Sequence, residues 1–146
     1  MTKISARIPG REEVHFEFQL KQGQIVDAKL TGTGGPDFLH VLVKWRSYLT
    51  GDLLQILLPE GQGVGEILLR EVILKAQGLW NFPYKEVELC HCRAISTAVV
   101  DAAIMTGAHD PETVSQMTSA STACGTCRPD VESMIAYRLY GTPEQA

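Results

Sequence analysis

Long hydrophobic runs are missing from this chain: nowhere do about 18 apolar residues follow one another, so no membrane-spanning helix is expected. The longest apolar stretch, residues 51–76, is interrupted by Pro59 and several glycines and carries charges. The N-terminal "MTKISARIPGREEVHFEF" has no apolar core of a secretory signal, which leads us to expect a cytoplasmic protein. Basic excess is missing too. Lys and Arg number 13 against 17 Asp and Glu, for a net charge of −4, and the cations are scattered. Neither nucleic acid nor an anionic membrane surface is an expected partner. Gly32, Gly34 and Gly35 do not form G-x-G-x-x-G, and no Lys-Ser/Thr follows them, so nucleotide binding has no support. They are expected to serve turn geometry. With no G-x-S-x-G and no H-E-x-x-H, the chain is not expected to be an enzyme. Cysteine is scarce: four in 146 residues, all in two short clips.

What is present suffices for a core. Apolar residues make up 45% of the chain and charged residues 21%, as in ordinary globular domains. Residues 3–8 alternate weakly until Pro9-Gly10. In "VHFEFQL", Val14, Phe16, Phe18 and Leu20 alternate with polar residues, and after the turn "KQGQ" Val26, Ala28 and Leu30 share one face of "IVDAKL". Period-two runs around a glycine-bearing turn predict an antiparallel hairpin with an apolar face to cover. The cover follows at helical spacing: Pro36 opens a helix bearing Phe38, Leu42, Trp45 and Leu49, ended by Thr50-Gly51. A second helix is expected over about Glu66–Gln77, stopped by Gly78. The segment between them fits a short helix or a strand.

"NFPYKE" reads as a linker, so the expected domains are 1–84 and 85–146. Beyond it, three short helices are expected, with the cysteines in the loops that feed two of them. Ser96 caps "STAVVDAAIMTG"; Asp110 and Pro111 start "DPETVSQM"; Pro129 opens "RPDVESMIAYRLYG".

The two clips are "ELCHCRAIS", with Cys90 and Cys92, and "STACGTCRPD", with Cys124 and Cys127; 31 residues lie between Cys92 and Cys124. Clustered thiols in a reducing compartment indicate metal ligands or redox groups rather than disulfides. Structural zinc favours clips with two to four intervening residues. A tight C-x-C with a C-x-x-C from a distant segment suits a larger object, four thiolates shared by two irons, so spacing favours iron–sulfur over zinc. Helix starts near Cys92 and Cys127, with Arg93 and Arg128 beside them, would favour an anionic cluster. His91 is expected not to ligate, because four thiolates complete a binuclear cluster. His15, His40 and His109 show no ligand spacing. Phe38, Trp45 and Tyr48 are expected in a core. A dithiol C-x-x-C oxidoreductase lacks its preceding strand here.

Residues 88–137 resemble the bacterioferritin-associated-ferredoxin-like [2Fe-2S] domain, also the central module of NifU-type proteins. The shared marks are C-x-C, two intervening helices and "CGTC" opening a last helix. The resemblance implies a [2Fe-2S] cluster held by Cys90, Cys92, Cys124 and Cys127. The N-terminal half resembles the U-type (IscU-like) iron–sulfur assembly scaffold in its hairpin, Gly-rich turn and long helix. That family carries cysteines in three segments which here read "IPGRE", "GTGGPD" and "GQGVGE", without one. The resemblance therefore implies a NifU-like order with a degenerate scaffold domain. The expected fold is α+β: a small antiparallel sheet packed with helices, then a small helical [2Fe-2S] module. The expected function is one-electron transfer or redox regulation with a protein partner. The alternatives are an iron–sulfur carrier or assembly protein serving an acceptor protein, and a zinc-stabilised interaction module. The N-terminal domain would dock that partner or form a homodimer.

Overall fold

The computed structural model describes residues 1–85, 88–90 (backbone only), 95–118 and 128–141. It divides into two compact units, Met1–Trp80 and Asn81–Ala146. The fold is α+β, and no helix among the described residues is long and apolar enough to cross a membrane.

The first unit is built on an antiparallel sheet of β1 (Thr2–Arg7), β2 (Glu13–Lys21), β3 (Gln24–Thr33) and β4 (Gly51–Asp52), in that spatial order. Alternation in β2 sets its inner face: Val14 and Phe16 are fully buried and Phe18 nearly so. The register aligns Ile4, Phe16 and Leu30 across three strands, and Ala6, Val14 and Gly32 beside them. The hairpin turns on Gln22 and Gly23, both with positive φ (54° and 77°), the two-residue turn whose twist suits antiparallel strands.

The outer end of the hairpin departs from simple alternation. Gln19 pairs with Asp27 but Leu20 pairs with Ile25, so Val26 is an extra residue on β3. The bulge breaks the two-residue period. Leu20 and Val26, expected inward, are instead 42% and 55% exposed, and Ala28 is exposed as well.

Helix α1 (Pro36–Trp45) starts on Pro36 and buries Phe38 and Leu42. It ends earlier than its apolar spacing suggests: Arg46–Tyr48 form a tighter 3-10 turn, which still delivers Leu49 to the core. The Arg46 Nε donates to the Leu30 carbonyl at 3.1 Å, satisfying an acceptor of β3 beyond its pairing with β4. Gly51 and Asp52 pair with β3, and the Asp52 carboxylate then accepts from the Leu54 N–H to start another 3-10 turn, Leu53–Gln55. The ambiguous segment is thus a strand and a helical turn in succession.

Helix α2 (Val64–Ala76) is buried on most sides, from Gly65 through Leu74. It packs against β1, β2 and α1, the central position that a helix apolar over most of its surface requires. At its end Gly78 has φ +74°, with Gly78 N–H on the Lys75 carbonyl and Leu79 N–H on the Leu74 carbonyl. This is the paired bonding of a Schellman stop.

In the second unit, a two-stranded hairpin of β5 (Glu88–Cys90) and β6 (Ile95–Ser96) precedes α3 (Thr97–Met105), α4 (Pro111–Thr118) and α5 (Arg128–Tyr140). The hairpin is an addition to the helices expected from sequence. The helices share a core that includes Val100, Ile104, Val114, Val131 and Met134, each no more than 1% exposed.

Candidate iron–sulfur site

The second unit's local structure follows from its caps. The Ser96 hydroxyl accepts from the Val99 N–H at 3.2 Å, and the Asp110 carboxylate from the Thr113 N–H at 2.8 Å. That N–H and the Thr113 hydroxyl hold the Asp110 carboxyl below the usual carboxylate range. Each cap satisfies a first-turn donor that the helix leaves unpaired.

Cys90 is the last residue of β5 and its backbone pairs with Ile95, so it stands in a strand rather than a loop. Chain connectivity keeps Cys92 within two residues of it. Cys127 immediately precedes Arg128, the first residue of α5. Cys92, Cys124 and Cys127 lie outside the described residues, as do His91 and Arg93. The described residues therefore place the Cys90 backbone at the end of β5, and the second clip runs in sequence directly into α5.

Arg128 is engaged by carboxylates. Its Nη2 bonds the Glu112 Oε1 in the first turn of α4, and its Nε lies 3.2 Å from the Glu132 Oε1 one turn along α5. The bond to Arg128 lowers the Glu112 pKa, and the same bond raises that of Arg128. The positive charge expected beside the ligands is thus partly offset by two acids. Sequence spacing carries no signal of the Arg128–Glu112 pair, whose members are 16 residues apart.

A second ion pair lies within the helical core. Arg138 in α5 is 6% exposed and donates to both carboxylate oxygens of Asp101 in α3, at 2.7 Å each. Its guanidinium also lies over the Phe82 ring, 5.1 Å from the centroid. The Asn81 N–H donates to the Tyr137 hydroxyl at 2.6 Å. Residues 81 and 82 are thereby fastened to α5.

The remaining candidates stay apart. His40 is exposed on α1, His15 in β2 lies 3.5 Å from the Glu13 carboxylate, and His109 sits between α3 and α4. Among the described residues no three or more His, Cys, Asp or Glu side chains gather to hold a metal ion. Phe38 is in the core as expected, but Tyr48 is 52% exposed and Trp45 half-buried. Their rings meet edge to face at 5.0 Å along an open groove beside α1.

Comparison with known families decides the chemistry. Residues 89–137 match the BFD-like [2Fe-2S] binding domain. All four cysteines fall inside that span, which is about a third of the chain. The donor set fits the cofactor: four thiolates are the complement of a binuclear cluster. The cofactor supported for the BFD-like domain is a [2Fe-2S] cluster, and the protein is an iron–sulfur protein in that region. Neither a curated protein nor a solved structure matches the chain.

Proposed function

We propose that this chain is a one-electron carrier or redox regulator that works with a protein partner, its cluster held by Cys90, Cys92, Cys124 and Cys127. The observation that carries the reading is the coincidence of all four cysteines with the BFD-like match. When bound, the cluster supplies a reversible one-electron couple, taking an electron from a reduced partner and returning it to an oxidised one. The chain's own contribution is to hold the thiolates and shape the field around them. No catalytic residue is assigned, and a cytoplasmic setting fits the clustered thiols.

A second reading, cluster carriage or assembly, draws on the first unit. The three segments that correspond to the scaffold family's cysteine positions meet at one cavity of about 450 Å³, lined by Glu12, Pro36, Asp37, Gly63 and Glu66 among others. Their convergence supports a scaffold-like unit, and acids standing there in place of thiols argue against cluster assembly at that position. Retention at the four-cysteine site is therefore the favoured reading.

The test begins with protein purified without oxygen. Brown protein with about two irons and two sulfides per chain is expected; colourless protein with about one zinc overturns the reading. Cys124→Ala should lose stable cluster binding, and a full iron and sulfide complement in that variant removes the ligand assignment. Incubation with an apo-acceptor separates the two functions, because a carrier hands its cluster over and an electron carrier keeps it through repeated reduction and oxidation.

A further inference from the structure

Arg128 joins the N-terminal turns of two helices. The guanidinium reaches Glu112 on α4 and Glu132 on its own helix, while its backbone continues directly into Cys127. Helix N-termini carry partial positive charge, so bringing two together is unfavourable unless acids offset it. Glu112, Asp130 and Glu132 supply that compensation, and Glu112 alone of the three lies on α4.

We propose that Glu112 is a positioning residue for the start of α5, the helix that directly follows Cys127 in the chain: through Arg128 it ties that helix start to α4 and engages the cation's charge. This rests on the four-cysteine reading above. Two consequences follow. The tie restrains the end of the clip that leads into α5, so its loss lets the cluster escape sooner. It also commits the Arg128 charge to carboxylates, so its loss leaves more positive field at the cluster and favours the reduced form.

The pair is well exposed, at 47% for the Arg128 side chain and 62% for Glu112, so its removal leaves the fold intact. That makes the test clean. Glu112→Gln keeps the shape and removes the charge; Glu132→Gln is the control, because it removes only the bond within α5. Anaerobic protein is mixed with an iron chelator, loss of visible absorption is followed, and the reduction potential is measured on the same samples. We expect Glu112→Gln to lose its cluster about threefold to fivefold faster, the range set by an exposed ion pair, with a less negative potential. Glu132→Gln should stay near the wild-type rate. Wild-type rate and potential in Glu112→Gln, or equal acceleration in Glu132→Gln, overturns the proposal. Wild-type protein without iron and sulfide instead overturns the ligand reading itself, and it shows before any variant is compared.

Discussion

At the scale of single residues, the Asp101–Arg138 pair shows how position decides the worth of a charge. Exposed ion pairs such as Arg128–Glu112 contribute little, because water screens them and long side chains lose freedom in forming them. Arg138 is 6% exposed and is met by both oxygens of one carboxylate. Its removal from water is costly, and Asp101 offsets that cost. Asp101→Ala should therefore destabilise the second unit by about 3 kcal/mol, the scale for breaking a buried pair. The double variant Asp101→Ala/Arg138→Met should recover much of the loss, because it removes the buried charge along with its partner. Chemical denaturation of the three proteins checks this; equal stability of wild type and Asp101→Ala contradicts it.

At the scale of elements, the glycines ahead of α1 carry a role that their sequence context hides. "TGTGG" reads as a turn, yet Gly32 lies in β3, paired with Val14. A Cβ there would stand 2.4 Å from the Leu42 Cδ1 and 2.7 Å from the Glu13 carbonyl oxygen. Gly34 likewise leaves room for the Phe38 ring. The small residues let α1 lie close on the sheet, a matter of space rather than of turn geometry. Gly32→Ala should push α1 outward and cost about 2 kcal/mol, the scale of overpacking a core; unfolding by denaturant reads the loss. Gly35→Ala, with open space around its Cβ position, is the control.

The same contrast separates what sequence conveys from what it does not. Caps and stops act within a turn of chain, so Ser96, Asp110, Pro111 and Gly78 mark their helices correctly. The β2 alternation is equally local, and the spacing of the four cysteines points to the span that the BFD-like family model matches. The Val26 bulge, the pairing of Gly51–Asp52 with β3 and the β5–β6 hairpin depend on the partner strand, which a two- or three-residue run cannot specify. The Arg128–Glu112 tie depends on how two helices pack. Expecting Cys90 in a loop failed for that reason: a three-residue strand has too little periodicity to read.

At the scale of the whole molecule, the two units, each with its own buried residues, should differ in their dependence on the cofactor. The first, Met1–Trp80, contains no cysteine and closes its own core with Phe16, Leu42, Ile67 and Leu68. The second, Asn81–Ala146, holds all four thiols. A ligand that binds the folded form alone stabilises it by about 4 kcal/mol at a thousandfold excess over its dissociation constant. For a domain of this size that corresponds to a rise in melting temperature of roughly 15 °C or more. Removing the cluster, by chelation under reducing conditions or by Cys124→Ala, should therefore lower one calorimetric transition by that amount and leave the other in place. Helix capping at Ser96 and Asp110 and the Asp101–Arg138 pair persist without the cluster, so the second unit should keep part of its helix content in the apo form. A single transition that moves as one body on cluster loss contradicts this division, because it requires the first unit to draw its stability from the cluster.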